Sequence, residues 1–331
     1  MANLKDVAQK AEVVVSTASY ALNGNYKKVS KEKAEEIIKI AKELNYRPNA
    51  IARSLARNKT DTIGLFLLNS VGETQPYNME MIFKIMDICN QNGYDILLFS
   101  DRKVEEVSYI ERCKERGVDG AIIFGITPDD PYLQDIKKSD IPTVIIDYPI
   151  QSDKTSYVSS HNKEGAYQAV SYLLSQGHEK VIFMGGNQKT LVEKERLKGY
   201  KQAYTDSGIT YSEKWIINAD FKKEIAYNQI LKFQNEFTAV FSISDYMAIG
   251  VMEALKDLEL NVPQDVSVIG FDDIESATHI SPELTTVRQN KDEIGKQTIN
   301  LLLKLIEGED NIGPIFVECE LIKRNSVSSI K

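Results

Sequence analysis

Cysteine is scarce in this chain. Its three thiols, Cys89, Cys113 and Cys319, are an odd number with neither CxxC nor Cys/His spacing, which excludes a disulfide framework and a thiolate zinc site and fits a reducing compartment. Histidine is as sparse, with His161, His178 and His279 scattered along the sequence. Gly185-Gly186 follows an apolar run, but no GxGxxG, no Walker lysine and no Ser/His/Asp set at strand ends accompanies it. Catalysis is therefore not expected, nor is a metal or a cofactor. No run approaches the roughly eighteen apolar residues of a spanning helix, and the N-terminus lacks the apolar stretch of a signal peptide. A soluble, cytoplasmic protein is expected.

What is present is length, apolar content and a divided charge. At 331 residues and 42% apolar, the chain can bury a sizeable core and calls for two or three domains. The net charge of -8 hides a polarity. Residues 1–59 carry twelve Lys and Arg against six Asp and Glu, so +6, while residues 60–331 carry 28 against 42, so -14. A basic head on an acidic body suits a polyanion bound at one end only, because cations release counterions from phosphates while the body stays repelled.

The head reads as three short helices. Leu4, Val7, Ala8 and Ala11 recur at helical spacing behind Asn3, whose side chain can cap the first turn, so a helix is predicted over residues 4–11. A turn at Glu12-Val13 leads to a second helix over 15–22, stopped by Asn23-Gly24-Asn25, which tolerate left-handed backbone. Ser30 starts the third, with Ala34, Ile37, Ile38, Ala41 and Leu44 in one stripe. Pro48 then fits the first turn of a hinge helix over 49–56. Two turns are too short to be stable alone in water, so this segment needs a partner.

From Thr62 the texture changes to short apolar runs alternating with amphipathic helices. Strands are predicted at 63–68, 96–99, 121–124 and 144–146, with helices at 79–91 and 104–116 between them. The rhythm restarts after Ser160, with helices at 163–175, 195–206, 224–234 and 246–256 and strands at 181–184, 216–218, 239–242 and 266–271. This is the βαβ pattern of parallel sheets covered by helices. Two α/β lobes with a cleft between them are expected. A last helix near 294–305 and a strand at 315–321 are read as returning to the first lobe. The predicted organisation is an all-α headpiece at 1–47, a hinge and linker at 48–59, and a core at 60–331. Its first lobe takes about 60–160 and 291–331, its second about 161–290.

The second helix exposes Ser16, Thr17, Ser19, Tyr20 and Asn23, hydrogen-bonding groups that can reach base edges and phosphates from the major groove. At this point the residues resemble the LacI family of bacterial transcription regulators. The resemblance is carried in the head by Leu4-Lys5-Asp6-Val7-Ala8, Thr17-Ala18-Ser19-Tyr20-Ala21-Leu22-Asn23-Gly24, Val29-Ser30, Leu44-Asn45-Tyr46-Arg47-Pro48-Asn49-Ala50, Ala52-Arg53-Ser54-Leu55 and Thr62-Ile63-Gly64. In the body Gly177-His178, Arg196-Leu197-Lys198-Gly199-Tyr200, Ser244-Asp245, Val268-Ile269-Gly270-Phe271-Asp272-Asp273 and Leu284-Thr285-Thr286-Val287 match that family's sugar-binding-protein-like core.

The resemblance implies a dimeric, DNA-binding repressor whose operator affinity is modulated by a small molecule, a sugar or sugar derivative, held between the core lobes. It implies that Val15, Ser16 and Tyr20 read major-groove bases, that Thr17, Ser19, Asn23, Tyr46 and Asn49 hold phosphates, and that Leu55, with Ala52 one turn earlier, wedges into the minor groove. It implies effector contacts from Tyr77, Asp147, Arg196, Phe221, Ser244 and Asp272. Carboxylates that accept hydroxyl pairs, a guanidinium fork and an aromatic face suit a polyol. Plainer roles compete: Arg196 as a surface partner of Glu193 or Glu195, Asp272 as a loop cap, Phe221 as packing.

The chain also departs from the family pattern. Glu12 stands where Gly is usual, Val14 where a capping Ser is, Tyr20 where many members have Arg, and Ser244 where Asn is usual. An unusual operator is implied. Two other functions stay open: a catabolite-control regulator, whose phosphorylated carrier protein would meet Lys296, Asn300 and Lys304, and, more remotely, an α/β enzyme. The C-terminal region lacks leucine heptads, so a homodimer is favoured over a tetramer.

Overall fold

The computed structural model describes residues 2–24, 26–46, 54, 59–68, 75–99, 107–186, 190–234 and 236–330. The chain divides into two compact units, Met1–Thr62 and Ile63–Lys331.

In the first unit, helices α1 (Leu4–Lys10), α2 (Val15–Leu22) and α3 (Lys31–Glu43) enclose a small core of Val7, Ala8, Ala11, Ala18, Ala21, Val29, Ala34, Ile37 and Ala41. Asn3 caps α1 by accepting from Lys5 N and Asp6 N, and Asp6 returns a bond to the Asn3 amide. Ser30 caps α3 through Lys33 N at 3.3 Å. Val14, the cap of α2, makes no side-chain bond. Glu12 has φ 54°, left-handed backbone that favours glycine and costs another residue roughly 1–2 kcal/mol. The hinge helix expected at 49–56, with Asn49, Ala52 and Leu55, lies outside the described residues.

The second unit holds two six-stranded sheets. The first lobe contributes β1 (Thr62–Leu67), α4 (Pro76–Gln91), β2 (Asp95–Phe99), α5 (Tyr109–Arg116), β3 (Gly120–Phe124), α6 (Leu133–Lys138), β4 (Thr143–Ile146) and β5 (Thr155–Ser160). The second contributes α7 (Asn162–Ser175), β6 (Val181–Gly185), α8 (Leu191–Ser207), β7 (Ile216–Asn218), α9 (Lys223–Lys232), β8 (Ala239–Ser242), α10 (Asp245–Asp257), β9 (Ser267–Asp272) and β10 (Thr285–Gln289). The chain then recrosses with α11 (Lys291–Glu307) and β11 (Ile315–Val317), and crosses once more into β12 (Cys319–Ile322).

Sheet order is β11-β5-β4-β3-β1-β2 in one lobe and β12-β10-β9-β8-β6-β7 in the other. Strands pair in parallel, as β1 Leu65 with β3 Ile122 and β6 Phe183 with β8 Phe241, except β12, which runs antiparallel to β10. These are doubly wound sheets, as expected. Their fully buried strands, such as Gly120–Phe124 and Val181–Gly185, are the short apolar runs seen in the sequence.

Three features differ from expectation. The strand read at 315–321 is two strands, broken at exposed Glu318, and β12 joins the second sheet. Residues 319–330 therefore do not return to the first lobe: Ser326 Oγ donates to Val268 O at 2.6 Å, and Ile330 N to Gln176 O at 2.9 Å. Strands β5 and β10 were not foreseen, because TSYVSS and TTVRQ carry buried Ser and Thr instead of an apolar run. Helix α6 is too short to show a period.

Candidate DNA-reading face and ligand cleft

On α2, Val15, Ser16 and Asn23 are exposed, while Thr17, Ser19 and Tyr20 are half-buried. Asn23 Nδ2 donates to Ser19 Oγ at 3.2 Å. Lys28 Nζ donates to the Tyr20 hydroxyl at 3.3 Å and stands 4.6 Å from its ring centroid. The tyrosine thus brings a cation to the face where an arginine is usual, a link that sequence spacing did not reveal. Tyr46 is half-buried and packs against the three-helix core.

In the second unit the six expected ligand residues follow from the sheets. A doubly wound sheet offers its binding crevice outside the carboxyl ends of its strands, where the order reverses. Asp147 directly follows β4, Ser244 follows β8, Asp272 ends β9, Phe221 lies beyond β7, Tyr77 opens α4, and Arg196 projects from α8. Asp147, Phe221 and Asp272 have φ 64°, 57° and 118°. Such backbone costs of order 1–3 kcal/mol per residue and gathers at ligand sites.

Arg196 is 3% exposed and does not pair with Glu193 or Glu195. Its Nε donates to Asn162 Oδ1 at 2.9 Å, its Nη1 donates to the Ile243 carbonyl, and its guanidinium lies 3.6 Å from the Phe271 ring centroid. Nη1 is 3.8 Å from Asp272 Oδ1. That carboxylate accepts from Gln289 Nε2 at 2.8 Å, and Gln289 Oε1 accepts from Ser160 Oγ at 2.7 Å. Asp147 accepts from Ser159 Oγ at 2.7 Å, and Asn162 Nδ2 reaches Ser159 Oγ at 3.3 Å. One polar chain therefore joins Asp147, Arg196 and Asp272 through the segments that cross between lobes. Asn162 and Gln289 were missed in the sequence, where neither carries a motif.

Burial pushes the Asp272 carboxyl up to about 6, against the pull of Arg196 and Gln289. Burial likewise raises Asp147. Asp245 is raised by burial and then by the Asp272 charge, and is held by Thr286 Oγ1 at 2.5 Å and Ile274 N at 3.0 Å. Tyr77 is 6% exposed, and its hydroxyl has no hydrogen-bond partner among the described residues. Burial raises its pKa, as do the charges of Asp147 and Asp272.

Phe221 packs over Gly186, where an added Cβ would come within 2.1 Å of its ring. Ser244 is buried and caps α10 through Met247 N at 3.2 Å. Of the six, only Asp147 lines the cavity of about 370 Å³ that opens beside Tyr148, Tyr157, His161, Glu195 and Phe316. Lys296, Asn300 and Lys304 are exposed on α11. Among the described residues no group of three His, Cys, Asp or Glu could hold a metal, and no helix is long and apolar enough to cross a membrane.

A three-helix headpiece and a two-lobed core with a polar, strained cleft define a ligand-responsive DNA-binding protein. Residues 3–49 match the bacterial regulatory proteins of the lacI family, and residues 170–327 match the periplasmic binding protein-like domain. The chain is 35% identical over 338 residues to the HTH-type transcriptional repressor PurR of Vibrio vulnificus (strain CMCP6), covering 100% of both chains. It resembles a complex of the transcriptional regulator CelR with cellobiose at TM-score 0.74 and 28% identity, over 98% of this chain and 100% of that one. It also resembles the lac repressor dimer bound to operator and an anti-inducer at TM-score 0.84 and 24% identity, over 99% of each. The chain belongs to the lacI family of bacterial regulatory proteins and is a DNA-binding transcriptional repressor with an effector-binding core.

Proposed function

We propose that this repressor acts in the cytoplasm as a homodimer, without catalysing a reaction, and that its effector is a neutral polyhydroxylated molecule, a sugar or sugar derivative, held by Tyr77, Asp147, Arg196, Phe221, Ser244 and Asp272. The observation that carries this reading is the unpartnered Tyr77 hydroxyl, buried near two carboxylates. A buried hydroxyl without a partner costs about 1–3 kcal/mol; a ligand hydroxyl would remove that cost. Carboxylates at Asp147 and Asp272 accept hydroxyls, whereas an anionic ligand would meet two acids and one already engaged guanidinium. On the headpiece, Val15, Ser16 and Tyr20 read bases, and Thr17, Ser19, Asn23, Tyr46 and Asn49 hold phosphates. Leu55, with Ala52, supplies the minor-groove wedge.

The test is a thermal-shift screen of the full chain against neutral sugars and their phosphates, followed by titration of hits against a selected operator. A ligand at a hundred times its dissociation constant adds about 2.7 kcal/mol. Neutral sugars should stabilise the chain and change operator affinity, and Asp272→Asn should abolish both effects. Stabilisation by phosphates alone, or sugar binding that leaves DNA affinity unmoved, would sink the reading.

A further inference from the structure

Helix α4 reaches across the cleft at two points. Gln75, its cap residue, donates from Nε2 to the Phe221 carbonyl of the second lobe at 2.9 Å. Glu80, one turn and a half further on, accepts from the Glu275 amide of that lobe through Oε1 at 3.0 Å. Its other oxygen, Oε2, stands 3.0 Å from Lys291 Nζ. That ammonium donates in turn to the carbonyls of Asp272 and Asp273, at 3.1 and 2.7 Å. The Glu80 and Lys291 side chains are 27% and 14% exposed, so this pair is shielded more than an ordinary surface pair.

None of these groups is needed to close either sheet. Glu80 lies one turn beyond Tyr77 on α4, and Lys291 Nζ stands 5.9 Å from the Tyr77 ring. Lys291 opens the second crossing segment, whereas Gln75, Phe221, Glu80 and Glu275 lie outside the crossings, which are tied separately by Ser160 to Gln289 and by His161 N to Val317 O at 2.9 Å. A two-lobed protein pinned only at its crossings rotates about them; one with lobe-to-lobe bonds outside the crossings as well resists that rotation.

We propose that Glu80, with Gln75 and Lys291, is a lobe latch: it ties the two core lobes together across the cleft and positions Tyr77 against the Asp272 turn. The effect of a cleft ligand then depends on whether it keeps or breaks the Glu80 contacts. The latch stands whatever molecule the cleft accepts.

The test needs no effector. Spin labels are placed on the full chain at Pro128→Cys, beyond the carboxyl end of β3, and at Glu224→Cys, in the first turn of α9; both positions are exposed. The native cysteines are buried, and burial pushes all three thiols up to about 12, so they do not compete for label. Electron-electron distances are then measured with Glu80→Gln, which keeps an acceptor for Glu275 N but loses the charge, with Glu80→Ala, and with Gln75→Ala/Glu80→Ala. The expected result is one narrow distribution in the parent and a mean lengthened by more than about 2 Å, the scale of a true domain rearrangement, in Glu80→Ala. Glu80→Gln should fall between, and the double variant should move furthest. Circular dichroism and melting confirm that each variant is folded. Folded variants whose distances match the parent, or shorten, overturn the proposal.

Discussion

At pH values above about 6 Asp272 is ionised and offers two acceptor oxygens to the cleft. Its carboxyl ordinarily titrates at 3.8, so between 3.8 and 6 the folded chain binds the proton more tightly than the unfolded one. Through this group alone, folding stability falls as pH rises across that window and is level above it. Ligand binding should move the opposite way, since protonation removes an acceptor. The facing groups are Arg196 on α8, Gln289 on β10, Lys291 on α11, Asp147 beyond β4, Asp245 on α10 and Tyr77 on α4. Calorimetric titration from pH 7.5 to 5 should show affinity for a neutral sugar effector dropping several-fold with a midpoint near 6. A flat profile, or one that Asp272→Asn leaves unchanged, removes Asp272 from the site. Arg196 makes a second prediction: Arg196→Ala leaves Asp272 buried without its cation, and should destabilise the chain by about 3–5 kcal/mol in urea unfolding. A loss below 1 kcal/mol would return Arg196 to a peripheral role.

The sequence held these two residues legibly, because Arg196 and Asp272 sit in runs whose residue types match a family. It did not hold what positions them. Asn162 and Gln289 make no periodic pattern and no motif, and they matter through contacts 34 and 17 residues away. Lys28 escaped notice for a like reason, since its bond to Tyr20 spans the turn after α2.

Among the elements, α2 carries the proposed reading surface behind an uncapped first turn. Its cap Val14 is 67% exposed and bonds nothing through its side chain, and Glu12 two residues before holds left-handed backbone. Val14→Ser should add about 1 kcal/mol to headpiece stability, read as slower amide exchange across α2 in the full chain; unchanged exchange would mean that Val14 packing already compensates. Lys28, which reaches Tyr20 from the turn after that helix, offers a test of the proposed reading face. If Lys28 faces a phosphate, Lys28→Ala weakens binding evenly across operator sequences and lowers the salt slope by about one. A change confined to one base position would instead make the Tyr20–Lys28 pair a base reader. Strands tell a parallel story of legibility. Those of the core interior, Val181–Gly185 among them, announce themselves as apolar runs, whereas β5 and β10 bury Thr155, Ser156, Thr285 and Thr286 and look like loops.

For the whole molecule the charge division sets what each end can do. A head at +6 and a body at -14 keep phosphate attraction at one end, so a neutral effector bound in the body changes DNA binding through conformation. That makes the coupling thermodynamic and reciprocal: the factor by which an effector changes operator affinity must equal the factor by which operator changes effector affinity. Coupling of 1–3 kcal/mol corresponds to roughly 5–150-fold. The pair of titrations, effector into the free chain and into the chain saturated with operator, should give the same factor as operator titrations with and without effector. Deleting residues 1–58 should abolish operator binding and leave effector affinity at its DNA-free value. Leu55→Ala should weaken operator binding at least tenfold, about 1.4 kcal/mol, yet leave effector binding to the free chain untouched, because the wedge acts only on bent DNA. Unequal coupling factors would mean that one of the titrations was not at equilibrium, while a Leu55→Ala chain that binds operator as the parent does would remove the wedge.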